Sequence, residues 1–152
     1  MKIIPVLLFS ILVSTTVFAQ QAIRVKQFNL NKGIAIQGYD PVAYFTQHKA
    51  VEGSKNIIEI VEGITYWFSS VANKDLFLKD YKKYEPQFGG WCAYAMGYSG
   101  KKVEVDPETF KIVDGKLYLF YHTRANNTLT TWNNDENNLK AKADKNWQKI
   151  IQ

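Results

Sequence analysis

Two turn signals, each flanked by apolar runs, constrain the fold of this chain most strongly. Asp114-Gly115 interrupts the segment FKIVDGKLYLFYH, and Glu62-Gly63 interrupts the segment NIIEIVEGITYWF. Asp-Gly favours the type I′ turn of a two-residue β-hairpin, and glycine supplies the positive φ that such a turn needs. The alternating segment over residues 34–45 predicts a further strand that ends in a tight turn at its Asp-Pro. The sequence therefore predicts two antiparallel hairpins, with strands over residues 57–61, 64–68, 110–113 and 116–121.

Helical patterns fill most of the remaining sequence. Ser69 or Ser70 precedes an apolar stripe and predicts a helix from about residue 71 to residue 82. Proline and glycine on either side leave room only for a short helix over residues 91–96, and residues 129–150 are predicted to form one or two helices. Two hairpins with about three helices predict an α+β fold, in which the hairpins pack against the helices of one small domain.

The amino terminus has the pattern of a secretory signal peptide. Lys2 precedes an apolar run over residues 3–17, and Ala19 ends a small-residue pattern that is typical of a cleavage site. The run is shorter than the ~20 residues that a membrane span needs. We therefore expect residues 1–19 to be removed, residues 20–152 to form the mature domain without a stable membrane span, and the protein to be periplasmic or secreted. An uncleaved amino-terminal anchor is the alternative.

The charge pattern argues against nucleic acid as a partner. The formal net charge is +5, and removal of Lys2 with the signal peptide lowers this excess by one. The lysines of the segment KAKADKNWQKI are spread around a predicted helix, whereas a nucleic-acid interface would gather them on one face. The sequence also contains no phosphate loop and no dinucleotide-binding fingerprint.

Cys92 is the only cysteine of the chain, and it lies in the segment PQFGGWCAYAMG. A single cysteine cannot form an internal disulfide bond, so in an exported protein it is a buried apolar residue, an intermolecular link, a reactive thiol or a metal ligand. A helix start favours the thiolate through its unpaired N–H groups and the helix dipole. The functional hypothesis makes Cys92 a catalytic redox thiol; the alternative makes it an inert filler in a close-packed helix.

The residues around Cys92 suggest a ligand or metal site. Gly89 and Gly90 lack Cβ atoms and would let a ligand approach the backbone, and Trp91 and Tyr94 would line the same site. The alternative is that these aromatic side chains belong to the core.

Copper is the candidate metal. Met96 lies four residues after Cys92, so a thiolate and a thioether would share a helix face and suit Cu(I), a soft ion. His122 could complete the site if the second hairpin packs against the short helix. His122 with Asp106 or Asp114 could also form a cysteine-histidine-acid arrangement, which is the weaker hypothesis.

The order of these motifs resembles the YHS domain family. GYDPVAYF followed by GITYWFSSVANKDLFLKDYKKYEPQFGG is similar to that domain over residues 38–84, and GGWCAYAM, VDGKLYLFY and ADKNW are similar to an exported subgroup of about this length. The common form has cysteines where this chain has Ala43, Ser69 and Asn73, so the resemblance does not imply its soft-metal site here. The subgroup's cysteine, which is selenocysteine in some members, matches Cys92 and implies a redox-active or metal-binding position.

The leading hypothesis is therefore an exported YHS-like module that uses Cys92 for thiol redox chemistry or for binding a soft metal or small molecule. The alternative is a structural or protein-interaction domain in which Cys92 is buried and inert.

Overall fold

The computed structural model describes residues 19–152, which form a mixed α+β domain and confirm the predicted fold class. The predicted signal peptide lies outside the described residues except for its last position. Residues 19–27 are helical and are called α1. The other helices and strands are β1 (Leu30–Asn31), β2 (Ile34–Ala35), α2 (Ala43–Thr46), β3 (Ser54–Val61), β4 (Ile64–Phe68), α3 (Val71–Lys79), α4 (Tyr81–Tyr84), α5 (Ala93–Ser99), β5 (Asp106–Val113), β6 (Lys116–Phe120), β7 (His122–Thr123), β8 (Asn126–Asn127), α6 (Thr128–Asn134) and α7 (Glu136–Ile150).

Both predicted hairpins are present. Val61 pairs with Ile64 across the first turn, and Val113 pairs with Lys116 across the second. In each turn both central residues have positive φ, with values of 52° at Asp114 and 71° for the glycine after it. This is the type I′ geometry that the Asp-Gly pair favours.

The larger sheet has the strand order β1-β2-β4-β3, so β3 lies at its edge. Pairing between β3 and β4 is interrupted by a bulge: Ser54 is opposite Phe68, whereas Ile58 is opposite Trp67. The outer side chains Ile58 and Ile60 are exposed. The residues between Ser54 and Ile58 therefore leave the regular ladder on the strand's amino-terminal half.

Strand β6 separates two hydrophobic clusters. Leu117 and Leu119 belong to the first cluster, whereas Tyr118 and Phe120 belong to the second. Successive side chains of a strand point to opposite faces, so β6 contributes to both. The first cluster also contains the inner face of β4, and the second contains Trp132 from α6 and Leu139 from α7.

Helix α5 packs closely on α7 because Gly97 has no side chain. A Cβ atom at this position would lie 2.4 Å from the carbonyl oxygen of Leu139. The Asn146 amide of α7 donates a hydrogen bond to the carbonyl oxygen of Met96 at 2.9 Å. The carboxy-terminal helix thereby fixes the segment that follows the lone cysteine.

Three local predictions differ from the structure. Only Ile34–Ala35 of the segment 34–45 is a strand, because Ile36 and Gln37 have positive φ and turn the chain into a short 3-10 helix. Helix α3 begins after its Ser70 cap, as predicted, but ends at Lys79. Helix α5 starts one residue after Cys92 and extends to Ser99, beyond the predicted end.

Candidate functional site

Cys92 is the residue immediately before α5, and its side chain is fully buried (0% exposed). The thiol makes no hydrogen bond to the N–H groups of the helix that follows. The backbone N–H of Cys92 instead donates to the carbonyl oxygen of Val103 at 3.0 Å. The cysteine side chain is thus directed into the core and does not cap the helix.

The thiol joins three elements through hydrogen bonds. The backbone N–H of Tyr121, just after β6, donates to Sγ at 3.3 Å, and Sγ lies 3.4 Å from Oγ1 of Thr128 at the start of α6. The hydroxyl proton of Thr128 is directed at the carbonyl oxygen of Tyr121, 2.8 Å away. Because a hydroxyl has only one proton to donate, the thiol must be the donor to Thr128. Both hydrogen-bonding roles of the Cys92 thiol are therefore filled within the chain.

The structure places the three candidate copper ligands in different surroundings. Met96 is buried in the second hydrophobic cluster, whereas Cys92 belongs to the first. The ring nitrogen Nδ1 of His122 lies 3.0 Å from the Thr109 hydroxyl and 3.2 Å from Oδ2 of Asp106. Within residues 19–152, no group of three or more His, Cys, Asp or Glu side chains is arranged to hold a metal ion. This geometry gives no support to a shared copper site.

Gly89 and Gly90 both have positive φ, with values of 60° and 85°. A Cβ atom at Gly89 would lie 2.9 Å from ring atoms of both Phe28 and Trp147. A Cβ atom at Gly90 would lie 3.4 Å from the ring of Pro86. The close approach to the glycine backbone is therefore made by the protein's own rings.

The predicted ligand-binding aromatic residues Trp91 and Tyr94 make contacts within the chain. The indole N–H of Trp91 donates to the carbonyl oxygen of Gln27 at 2.7 Å. Tyr94 stacks on Tyr98 with ring centroids 5.6 Å apart. Both side chains are therefore engaged with the protein's own groups, and both, like Trp147, pack against the second hydrophobic cluster.

Asp40 is a second fully buried polar side chain, and five donors saturate its carboxylate. The backbone N–H groups of Val42 and Ala43 donate to Oδ1. The backbone N–H and the hydroxyl of Ser69 donate to Oδ2, as does the Asn73 amide at 2.7 Å. Ala43, Ser69 and Asn73 therefore meet around one carboxylate.

Two adjoining clefts open beside Gly89, and we call them together the Phe28–Trp147 cleft. Their volumes are about 400 Å³ and about 370 Å³, and they share Phe28, Lys82 and Trp147. The first part is also lined by Lys116 and by Asp144 of α7. Volumes of this size are typical of small-molecule sites.

A largely buried ion pair lines this cleft. The Arg24 guanidinium contacts the Glu85 carboxylate, which also accepts a hydrogen bond from the Tyr66 hydroxyl. Burial alone would lower the pKa of Arg24, but the hydrogen bond and charge of Glu85 raise it, so the side chain stays cationic. Burial first, and then the Glu85 charge, raise the pKa of Tyr66. Glu85 is thus compensated by a cation and a neutral donor.

No sequence motif indicates this cleft. Phe28 and Trp147 lie near opposite ends of the chain, and Arg24 and Glu85 are 61 residues apart. No local spacing could connect such residues. In the sequence, only Gly89 and Gly90 drew attention to this part of the chain. They were interpreted there as part of a ligand site around Cys92, whereas Gly89 lines the cleft.

Among the described residues, no helix is long and apolar enough to cross a membrane. Comparisons of this chain with protein-family models, with curated proteins and with solved structures find no match.

Proposed function

We propose that this chain is a ligand-binding module in which the ligand occupies the Phe28–Trp147 cleft and Cys92 serves the fold. The observation that carries the proposal is a cleft of ligand size whose walls combine two aromatic rings with two ammonium groups, those of Lys82 and Lys116.

The chemistry of the walls favours a small organic anion with an aromatic or other ring. Among the described residues, neither Lys82 nor Lys116 is in ion-pair contact with a carboxylate. Arg24 contacts both Glu85 and Glu62, and the Asp144 carboxylate also lines the cleft, so Lys82 and Lys116 are the cations of the described cleft walls that have no ion-pair partner. An aromatic wall supplies apolar contact, and a few placed polar groups orient the bound molecule.

The surroundings of Cys92 favour the structural alternative over thiol chemistry. A nucleophilic or ligating sulfur needs a thiolate and access to its partner. The Cys92 thiol is fully buried, donates to Thr128 and accepts from Tyr121. We therefore assign the binding role to the cleft.

The test is a titration of the folded chain with 1-anilinonaphthalene-8-sulfonate, a fluorescent aromatic anion. We expect saturable binding with fluorescence transfer from tryptophan, because Trp147 lines the cleft. The double variant Lys82→Gln/Lys116→Gln should weaken binding about fivefold, the effect of two exposed charges.

The matched control is Lys142→Gln/Lys149→Gln, which removes the same charge from exposed positions of α7 that do not line the cleft. Equal weakening by both double variants would show a general charge effect and contradict the proposal. Absence of saturable binding to the unmodified chain would contradict it as well.

Export and the YHS relationship belong to the same proposal. The apolar run over residues 3–17 supports the first, and the ordered motifs from residue 38 onward support the second. Expression in a Gram-negative host should yield processed protein in the periplasmic fraction, starting near Gln20. Unprocessed protein in the cytoplasm would contradict export.

A further inference from the structure

A stripe of aromatic side chains lies on α5, away from the Phe28–Trp147 cleft. Tyr94 and Tyr98 are one helical turn apart, and their rings stack almost in parallel, with an angle of 12° between the planes. Tyr98 is 74% exposed, more than any other large apolar side chain of the described residues. One face of the Tyr98 ring is supported by Tyr94, so the ring is held as a flat outer surface.

The chain reversal after α5 brings a cation to the other end of this stripe. Gly100 ends the helix in the left-handed conformation, with φ of 69°. The backbone N–H of Cys92 then donates a hydrogen bond to the carbonyl oxygen of Val103. The Lys102 ammonium consequently lies 5.6 Å from the centre of the Trp91 ring. Tyr98 and Lys102 are four residues apart in the sequence, on either side of the turn at Gly100.

Within the described part of the chain, Lys102 has no acidic ion-pair partner, and the positive charge of Lys26 acts on it. Its ammonium donates to the neutral side-chain oxygen of Gln27. Burial, and then the charge of Lys26, lower the pKa of Lys102. Among the described residues, no carboxylate is in ion-pair contact with Lys26 or Lys102, whereas Lys111 and Lys140 both have one. A bound anion would relieve the repulsion between the two ammonium groups.

We propose that Tyr98, Tyr94, Trp91, Lys102 and Lys26 form a binding surface for a short acidic saccharide, and we call it the tyrosine patch. The flat Tyr98 ring would stack on the apolar face of a sugar ring. The ammonium groups at the Trp91 end would bind the carboxylate of a neighbouring sugar-acid unit.

The arrangement favours a saccharide over single-stranded nucleic acid. Nucleic-acid channels combine a positive groove along the backbone with several successive stacking surfaces. Here only Tyr98 offers an open ring face, because Tyr94 is covered by it, and the cations are grouped at one end. None of the five residues of the patch lines the Phe28–Trp147 cleft, so this inference does not depend on the proposed function.

The experiment is a calorimetric titration of the folded chain with tri-galacturonate at low salt. We expect Tyr98→Ala and Lys102→Gln each to weaken binding about tenfold, since each removes one of the two contacts that define the site. Tyr98→Phe should bind like the unmodified chain, because it keeps the ring. Added salt should weaken binding through screening.

Three controls make the result decisive. Lys140→Gln removes an ammonium that pairs with Asp114 outside the patch and should leave the affinity unchanged. Lys116→Gln should also leave it unchanged, which separates the patch from the cleft. Maltotriose, which is neutral, should not bind measurably.

The proposal is overturned if tri-galacturonate does not bind, or if Tyr98→Ala and Lys102→Gln bind it as well as the unmodified chain. It is also overturned if a short oligothymidylate binds the patch more tightly than the saccharide. Because Tyr98 and Lys102 are exposed, both variants should fold, and circular dichroism checks this.

Discussion

Asp40 and Glu85 are both buried carboxylates, but their charges are compensated in different ways. Asp40 accepts hydrogen bonds from neutral donors of three neighbouring segments, and it lines none of the clefts described above. Glu85 is paired with the Arg24 cation and lies at the wall of a cleft. The comparison indicates that the Asp40 cluster serves the fold alone, whereas the Glu85 cluster also shapes a surface that a ligand can reach.

The largest expected effect is that of Asp40→Asn. An asparagine amide would direct its own donors at N–H and O–H groups that now converge on the carboxylate, and the variant should lose about 3 kcal/mol of unfolding free energy. Urea denaturation followed by circular dichroism measures this loss. Binding of the fluorescent anion to the cleft should not change.

Asp75→Asn, an exposed site on α3, is the control, with an expected change within about 0.5 kcal/mol. An equally small loss of unfolding free energy for Asp40→Asn would contradict the structural role of the Asp40 cluster.

Glu85→Gln should have the next largest effect, about 2 kcal/mol, because it leaves Arg24 partly buried without its closest anion. The same urea titration measures it. Glu62→Gln is the matched control: Glu62 also contacts Arg24, but it is more exposed and should contribute less than about 1 kcal/mol. Unlike Asp40→Asn, Glu85→Gln should also alter binding of the fluorescent anion. If the two variants affected that binding equally, the distinction between the two carboxylates would fail.

The Cys92 thiol extends the comparison to a neutral buried group, and Cys92→Ala tests its contribution to stability. The substitution leaves the Tyr121 N–H without its acceptor and opens a small cavity, so we expect a loss of about 1.5 kcal/mol. Cys92→Ser, which keeps a donor and an acceptor, should lose less. Both are measured by urea denaturation.

The thiol of the unmodified chain should react with iodoacetamide only when the protein opens. The reaction rate should therefore rise steeply across the urea transition, because the native side chain is fully buried. The fully unfolded chain provides the reference rate. Reaction of the native protein at that same rate would favour the reactive-thiol hypothesis instead.

Substitution of Asp106 should have the smallest effect on the unfolding free energy, because its carboxylate is partly exposed. Burial opposes its ionisation, but hydrogen bonds from Thr109, from the Glu108 N–H and from His122 together lower its pKa. A carboxyl with a lowered folded-state pKa stabilises the protein above its ordinary pKa of about 3.9, and this stabilisation is lost as pH falls through the folded value.

Asp106→Asn should accordingly cost less than about 1 kcal/mol at neutral pH and still less below about pH 3. Urea midpoints of the variant and the unmodified chain, compared at both pH values, test this. Asp75→Asn should show no such change with pH. A difference in urea midpoint that stayed as large below about pH 3 as at neutral pH would contradict the lowered pKa of Asp106.

The sequence was sufficient where structure depends on neighbouring residues. The two hairpins follow from their turn residues and the β-rich runs beside them, and Ser70 caps α3 as its side chain predicts. The early strand was predicted too long because Ile36 and Gln37 adopt positive φ without a glycine to indicate it. Tertiary contacts stabilise that turn, including a hydrogen bond that the side-chain amide of Gln37 donates to the backbone carbonyl oxygen of Val105.

The candidate site could not be predicted to the same extent. A short helix beside Cys92 could be predicted from Gly89, Gly90 and the following residues, although it begins one residue after Cys92 and not before it. The thiol's partners Tyr121 and Thr128 are 29 and 36 residues further along the chain, so burial of the thiol depends on how β6 and α6 pack. The same holds for the Phe28–Trp147 cleft, which forms only when both ends of the chain meet over Gly89.

The bulge in β3 bears on pairing between the sheet edges of two molecules. An edge strand with exposed Ile58 and Ile60 offers unpaired backbone groups and apolar side chains to the same strand of another molecule. The irregular stretch between Ser54 and Ile58 shortens the regular edge, and Lys55 within it is exposed. A bulge and a lysine on an edge both oppose strand addition, so this irregularity disfavours edge-to-edge pairing between two copies of the chain.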